Sequence, residues 1–164
     1  MSDLGELTRV WTITFKRQSK HSPQRLWKAL TDSEEVSKWM AYPARIDLRP
    51  GGEYNVDFSR DNSGELDGVI VRVEPERVLA YVWGYSVIEW IIEPEGSGCR
   101  YTFADHGNPT IEGADEISAG WHAWVDSLEA HLDGKPLTAA QGQEDWQRVT
   151  PTYKERLDEV LKGA

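Results

Sequence analysis

Two neighbouring residues near the end of an alternating segment could act together as a general acid and base. Asp105 and His106 follow Cys99-Arg100-Tyr101-Thr102-Phe103-Ala104, and a carboxylate beside an imidazole can orient it for proton transfer. Successive side chains of a strand, however, point to opposite faces. We therefore expect Asp105 and His106 to point apart at an exposed strand end.

Glu89 is another candidate acid, because it interrupts the apolar run from Val87 to Ile92. Inside a cavity it could act as a general acid. The alternation places it on the face opposite Trp90, however, so we expect it to point outward. Glu65 and Asp67 are expected to face solvent in the same way.

His122 and Asp126 are four residues apart, the spacing that brings two side chains together on a helix. They could be two metal ligands, but the sequence supplies no evident third or fourth. His21 and His131 do not form a known metal spacing with them. We predict a solvated pair, with no metal and no cofactor. Cys99 has no neighbouring histidine or lysine to activate it, so we expect a buried, inert thiol.

Large aromatic side chains are the most abundant candidate binding groups, since the chain has eight tryptophans. By the alternation of the predicted strands and the periodicity of the predicted long helix, nine aromatic rings point into the interior between sheet and helix. They could line an apolar ligand pocket, or they could simply fill the core. The candidate ligand-binding residues are Tyr54, Phe58, Tyr81, Trp83, Trp90, Tyr101, Phe103, Trp121 and Trp124.

The charge balance disfavours some partners. The 164 residues include 18 basic and 28 acidic ones, for a net charge of −10. A strongly acidic surface repels nucleic acid and anionic lipid, so neither is expected as a partner. No run approaches the roughly 20 apolar residues of a membrane span. The single cysteine and the absence of a signal-peptide pattern predict a cytoplasmic location.

The order of predicted elements indicates an antiparallel sheet covered by one long helix. A strand over residues 7–16 is followed by two short helices, the first capped by Ser22-Pro23. About six strands follow between residues 45 and 104, one of them over 65–74. Apolar residues then recur every three or four positions from Ile117 to Leu132, which predicts a helix.

The spacing of several motifs resembles the SRPBCC (START-like, birch-pollen-allergen-like) superfamily. Within it, the chain is similar to the family of the C-terminal domain of the activator of heat-shock-protein-90 ATPase. The resemblance covers about residues 8–134. It is carried by Ser22 to Asp32, Trp39, Asp47 to Tyr54, Gly68 with Val71 and Val73 to Pro75, Trp90 with Glu93-Pro94, Gly98 to Phe103, Gly120-Trp121 and Leu128. The family usually has threonine where Cys99 stands.

The resemblance implies an α+β helix-grip fold, in which a curved antiparallel sheet wraps around a long C-terminal helix. Two short helices follow the first strand, and a cavity lies between the sheet and the long helix. We predict a domain over residues 1–134 and an extension over 135–164, with a loop at 138–143 and a short polar helix at 151–161.

Three functional hypotheses follow. The first is a module that binds a small apolar or amphipathic ligand in the cavity. The second, implied by the resemblance alone, is an interaction module for a chaperone or the stress response, with a chaperone or a second copy of the chain as partner. The third is a cyclase-, hydratase- or hydrolase-type enzyme using Asp105, His106 or Glu89. Because no coherent catalytic set is evident, ligand binding is preferred over catalysis.

Overall fold

The computed structural model describes residues 10–108 and 112–163. Residues 7–9 of the predicted first strand lie outside these ranges. Within them, strands β1 to β8 and helices α1 to α4 follow an α+β order, in which most strands are consecutive along the chain. The elements are β1 (Trp11–Ser19), α1 (Pro23–Thr31), α2 (Ser33–Met40), β2 (Ala44–Ile46), β3 (Tyr54–Asp57), a short 3-10 turn (Ser59–Asp61), β4 (Glu65–Leu66), β5 (Gly68–Glu74), β6 (Val78–Trp83), β7 (Ser86–Glu95), β8 (Gly98–Asn108), α3 (Ala114–Leu132) and α4 (Ala139–Lys162).

The strands form two antiparallel sheets. The larger has the order β1-β8-β7-β6-β5 and the smaller has the order β2-β3-β4. A bridge between Glu53 and Val69 links them. Their inner faces and α3 enclose the apolar core, in the helix-grip arrangement that we predicted.

The predicted strand over 65–74 is divided between the two sheets, because β4 pairs with β3 whereas β5 pairs with β6. At the division, the Gly68 backbone passes so close to its neighbours that a Cβ there would stand 2.4 Å from Tyr54 O and 2.6 Å from the Trp83 ring. Only glycine permits this approach. The Asn55 side chain accepts a hydrogen bond from the Gly68 N–H at 2.9 Å.

The two short helices share one residue as their boundary. Ser22 caps α1 and Pro23 occupies its first position, as predicted. Asp32 ends α1 and begins α2, where its Oδ1 accepts a hydrogen bond from the Glu35 N–H at 3.0 Å. Such a cap satisfies a donor that a helix start otherwise leaves free. The apolar faces of both helices are buried against α3.

The C-terminal segment differs most from its prediction. The predicted loop over 138–143 is wrong, because α4 is one 24-residue helix. A capping box between Thr138 and Gln141 starts it. Pro151 lies inside it, but Val149 is buried and Tyr153 is half-buried on either side of that residue. Contact with α3 therefore holds the helix where local propensity alone would interrupt it.

No helix within residues 10–108 and 112–163 is long and apolar enough to cross a membrane.

Candidate functional site

The aromatic side chains between the sheet and α3 pack directly on one another. Tyr54 and Tyr81 stack with ring centroids 3.9 Å apart. Phe103 lies 4.3 Å from Trp121 and 4.8 Å from Trp90. Aromatic pairs at such distances are in favourable contact. Of the nine predicted ligand-binding rings, those of Phe58 and Trp124 are partly buried and the other seven are buried in the core.

The polar atoms of these rings have partners inside the protein. Tyr54 donates to Leu30 O at 2.9 Å, and Trp83 Nε1 donates to Tyr54 O at 2.9 Å. Tyr101 donates to Glu129 Oε1 at 2.7 Å. Burial, together with the Glu129 carboxylate, raises the pKa of Tyr101 well above its ordinary value. These contacts favour the interpretation that the rings fill the core. A ligand-binding role for the nine residues stays a prediction.

Two of the three candidate acid–base residues, His106 and Glu89, come together on the outer face of the sheet, but Asp105 does not join them. Asp105 is buried, and its Oδ2 accepts a hydrogen bond from Trp121 Nε1 at 3.1 Å. His106 lies on the other face of β8, where its Nε2 is 3.4 Å from Glu89 Oε1. The opposite orientations agree with strand alternation, but our expectation of an exposed strand end is wrong for Asp105, which is only 4% exposed. Among the described residues, Asp105 therefore has neither His106 nor Glu89 beside it as a proton-transfer partner.

A pocket of about 280 Å³ lies on the other side of α3, between the end of α2, α3 and the first turns of α4. Indole and phenol rings form much of its wall, and small residues form the rest. Trp124 is the one predicted ligand-binding residue among those that line it. The lining residues are Trp39, Met40, Ala41, Tyr42, Gly120, Ala123, Trp124, Ser127, Leu137, Thr138, Ala139, Gly142, Gln143 and Trp146.

Two glycines leave space in this pocket. Gly120 lies in α3 and Gly142 in α4, and at each position a Cβ would have no other part of the protein within 4 Å. Neither has a positive φ, so the backbone conformation does not require glycine. Glycine inside a helix costs roughly 0.5–1 kcal/mol relative to alanine. Both glycines therefore leave empty space in the pocket that a larger side chain would occupy.

The pocket walls are held in different ways. On the α2 side, Glu35 binds Arg25 Nη1 at 2.7 Å and lies 2.8 Å from His131 Nε2. Burial alone would raise the pKa of Glu35, but the hydrogen bonds from His131 and Arg25 outweigh it and the pKa is lowered. On the α4 side, Trp146 Nε1 donates to Glu116 O at 3.1 Å, and Val149 is buried against the rest of the protein.

A cluster that the sequence left incomplete is assembled where α4 crosses α3. His122 Nε2 lies 3.1 Å from Asp126 Oδ2, as their spacing predicts. The sequence made no third metal-ligating group evident, but in the fold Asp145 of α4 lies beside the pair. One ligand atom from each of the three lies within 4.8 Å of the others. The third group comes from the segment 135–164, which we predicted as a C-terminal extension.

Residues 20–133 match the family model described as Activator of Hsp90 ATPase homolog 1-like protein. The chain belongs to this family. The match ends before α4, whereas Leu137, Thr138, Gly142 and Trp146 form one wall of the pocket. That wall is therefore built from residues outside the matched region. Among curated proteins, no significant match was found.

Solved structures show the same fold. A protein from Mesorhizobium loti is 25% identical, with a TM-score of 0.69 over 77% of this chain and 100% of its own. A conserved protein of unknown function from Enterococcus faecalis is 17% identical, with a TM-score of 0.77 over 92% and 86%. The Aha1 dimer from Colwellia psychrerythraea is 18% identical, with a TM-score of 0.66 over 74% and 96%.

Sequence reasoning missed the α4 wall, although two patterns indicate it. Thr138 and Gln141 have the spacing of a capping box, in which each side chain bonds the other's backbone. Trp146, Val149, Tyr153 and Leu157 recur at helical spacing, which is typical of a buried stripe. Gly142 and Pro151 obscured both patterns, because each residue disfavours a helix when considered locally.

Proposed function

We propose that this protein binds a small amphipathic molecule in the pocket between α2, α3 and α4. The pair of helical glycines facing that pocket carries the proposal, because each leaves space at a cost in helix stability. The volume of about 280 Å³ is near the lower end of ligand pockets, which suits a small molecule.

The lining supports an amphipathic ligand in particular. The faces of Trp39, Tyr42, Trp124 and Trp146 offer apolar contact, which accounts for most of the affinity in such sites. Thr138 and Gln143, at the start of α4, add polar groups to the lining. An aromatic or short-chain molecule with one polar end matches that distribution better than a large lipid does.

Tryptophan fluorescence of the full chain provides the test, with short fatty acids, flavonoids and small steroids as probes. A bound ligand is expected to quench or shift the emission of Trp124 and Trp146 with a saturable dependence on concentration. Calorimetry on the responding ligand gives the stoichiometry, which we expect to be one ligand for each chain.

A variant that fills the pocket tests whether the ligand binds there and not elsewhere on the protein. Gly142→Leu places a side chain in the open space, so we expect binding to weaken at least tenfold while the fold is retained. Ala140→Leu adds the same side chain at an exposed position of α4, and binding should be unchanged. Equal binding by both variants would contradict the proposed pocket. Binding lost only in Tyr101→Ala would favour a site among the seven buried core rings instead.

A second candidate function is interaction with another protein. The outer face of the larger sheet carries exposed apolar side chains, with Val69 51% and Val87 38% exposed. Val82 pairs with both of these residues, so the three form a row across β5, β6 and β7. A second copy of the chain is the first occupant to test, since an Aha1 of similar fold was solved as a dimer; a chaperone is another.

Sedimentation of the protein over a range of concentrations tests this second candidate. A dimer that dissociates in Val69→Lys but not in Val160→Lys would support an interface at the row of exposed valines. Val160 is similarly exposed, but it lies on α4. A monomer at every concentration would exclude the second copy as occupant.

A further inference from the structure

We propose that His122, Asp126 and Asp145 form a binding site for a divalent transition-metal cation, with Zn²⁺ as the best match, which fastens α4 to α3. The site is separate from the proposed ligand pocket in its donors, although Asp145 is adjacent in sequence to the pocket residue Trp146.

The positions of the three donors suit one cation. His122 Nε2 and Asp126 Oδ2 are 3.1 Å apart, and the whole set lies within 4.8 Å. Zn²⁺ binds nitrogen and oxygen at roughly 2.0–2.2 Å, which puts two ligands of a tetrahedral site about 3.4 Å apart. A small inward movement of Asp145, well under the length of its side chain, completes the geometry.

Each donor is oriented by a second contact through its other atom. Arg17 Nη1 donates to Asp126 Oδ1 at 2.9 Å, and Arg148 pairs with Asp145 Oδ1. His122 Nδ1 lies 2.8 Å from the Tyr153 hydroxyl, which suits a tautomer that leaves Nε2 free to ligate. Such outer contacts are what metal-binding histidines and carboxylates usually have.

One atom of the cluster has no partner that satisfies it. Asp145 Oδ2 is buried and has no hydrogen-bond partner, although a buried carboxylate oxygen without a partner costs free energy. A cation bound to this oxygen removes that cost. The observation is independent of the clustering, since it concerns the solvation of a single atom.

Another histidine–carboxylate pair of the described chain provides a contrast. His21 pairs with Asp133 at 2.7 Å, and Lys20 supplies a cation to the same carboxylate. Neither oxygen of Asp133 is buried without a partner. That pair is complete as an ordinary ion pair, whereas the cluster at α3 and α4 is not.

The chemistry of the donors selects the class of metal. One imidazole and two carboxylates suit Zn²⁺ and neighbouring transition metals, whereas Ca²⁺ and Mg²⁺ prefer oxygen ligands alone. Three protein ligands leave a fourth position for water. Because two donors are on α3 and the third is on α4, binding will stabilise the contact between these helices.

The experiment is a calorimetric titration of the full, untagged chain with Zn²⁺, alongside melting curves with and without the metal. We expect one equivalent to bind and the melting temperature to rise. Asp145→Asn retains the shape of the side chain but removes a charged ligand, so we expect binding at least tenfold weaker and no rise. His122→Gln should behave likewise, and Tyr153→Phe should weaken binding about tenfold by releasing the imidazole.

Asp133→Asn, at the complete ion pair, is the matched control and should leave Zn²⁺ binding unchanged. Metal-free melting curves show whether each variant folds. If folded Asp145→Asn and His122→Gln bind Zn²⁺ as the unaltered chain does, or if the unaltered chain binds none, the proposal is wrong. Tight Mg²⁺ binding that exceeds Zn²⁺ binding would overturn the assignment of the metal class. As a spectroscopic check, Co²⁺ should give the visible absorption of a site of low coordination number, and Asp145→Asn should abolish it.

Discussion

The two faces of α3 use residues of opposite size for opposite purposes. Toward the sheet, Trp121 and Leu128 are buried among aromatic rings from β3 and from β6 to β8. Toward α2 and α4, the spacing of three and four residues brings small side chains to one line, at Gly120, Ala123 and Ser127. Large residues close the first interface, whereas at the second the small residues leave a pocket beside the ring of Trp124. One helix thus contributes both to the packed core and to a pocket of about 280 Å³.

The largest expected effect comes from truncating a ring on the closed face. Trp90 is fully buried and contacts Trp39, Tyr101 and Phe103. Trp90→Ala should lower the free energy of unfolding by about 3–5 kcal/mol, since the lost contacts and the new cavity add. Urea denaturation measures this loss.

Trp146→Ala is the matched change at the pocket between α3 and α4. It should lower the free energy of unfolding by about 1 kcal/mol, mostly through the lost hydrogen bond to Glu116 O. Equal losses for the two variants would contradict the contrast between the faces. If Trp90→Ala does not fold, Trp90→Phe should still be measurably less stable than the unaltered chain.

Removing α4 tests the domain division that we predicted from sequence. A chain ending at Gly134 lacks α4 and therefore the apolar contacts that buried Val149 and partly buried Trp146 and Tyr153 make with the rest of the protein. Apolar burial of this extent is worth about 2–4 kcal/mol, and we expect a folded domain that is less stable by that amount and has no ligand pocket. Thermal denaturation followed by circular dichroism measures it. An unfolded product would make residues 135–164 an integral part of the domain.

A smaller, pH-dependent effect is expected at the α2 wall. The pKa of Glu35 lies below its ordinary value of 4.5, through the net effect of His131 and Arg25 against burial. A lowered folded-state pKa contributes stability above pH 4.5, and that contribution is lost as the pH falls through the folded pKa. Glu35→Gln should therefore cost about 1.5–3 kcal/mol near pH 7.

The difference between Glu35→Gln and the unaltered chain should shrink below pH 4.5, which urea denaturation at pH 7 and pH 3.5 can detect. Glu34 is exposed on the same helix, so Glu34→Gln is the control and should change stability by less than about 0.5 kcal/mol at either pH. A loss for Glu35→Gln that is independent of pH would show that its charge is not the stabilising feature.

Several features that depend on residues close together in sequence were predicted correctly, whereas others that depend on residues far apart in sequence were missed. The cap at Ser22, the alternation in β7 and the apolar face of α3 depend on near neighbours in sequence, and the structure confirms them. In β6 the rings of Tyr81 and Trp83 are buried as predicted, but Val78 and Ala80 are buried as well, so burial does not alternate along that strand. The division at Gly68 was missed because its cause is the approach of Tyr54 and Trp83 from other strands. Alternation indicates which face a ring occupies, but it does not indicate whether the rings meet.

The sequence by itself determined the long helix and the inward faces of strands such as β7, because periodicity and local caps encode them. Its motifs carried the resemblance to the family and therefore to the helix-grip fold. Only the tertiary structure decided where open space remains and which charged groups meet. Gly120 and Gly142, like His122 and Asp145, are far apart in the chain and come together only when α4 packs on α3. Their effect depends on distances across that contact, and no local pattern specifies such distances.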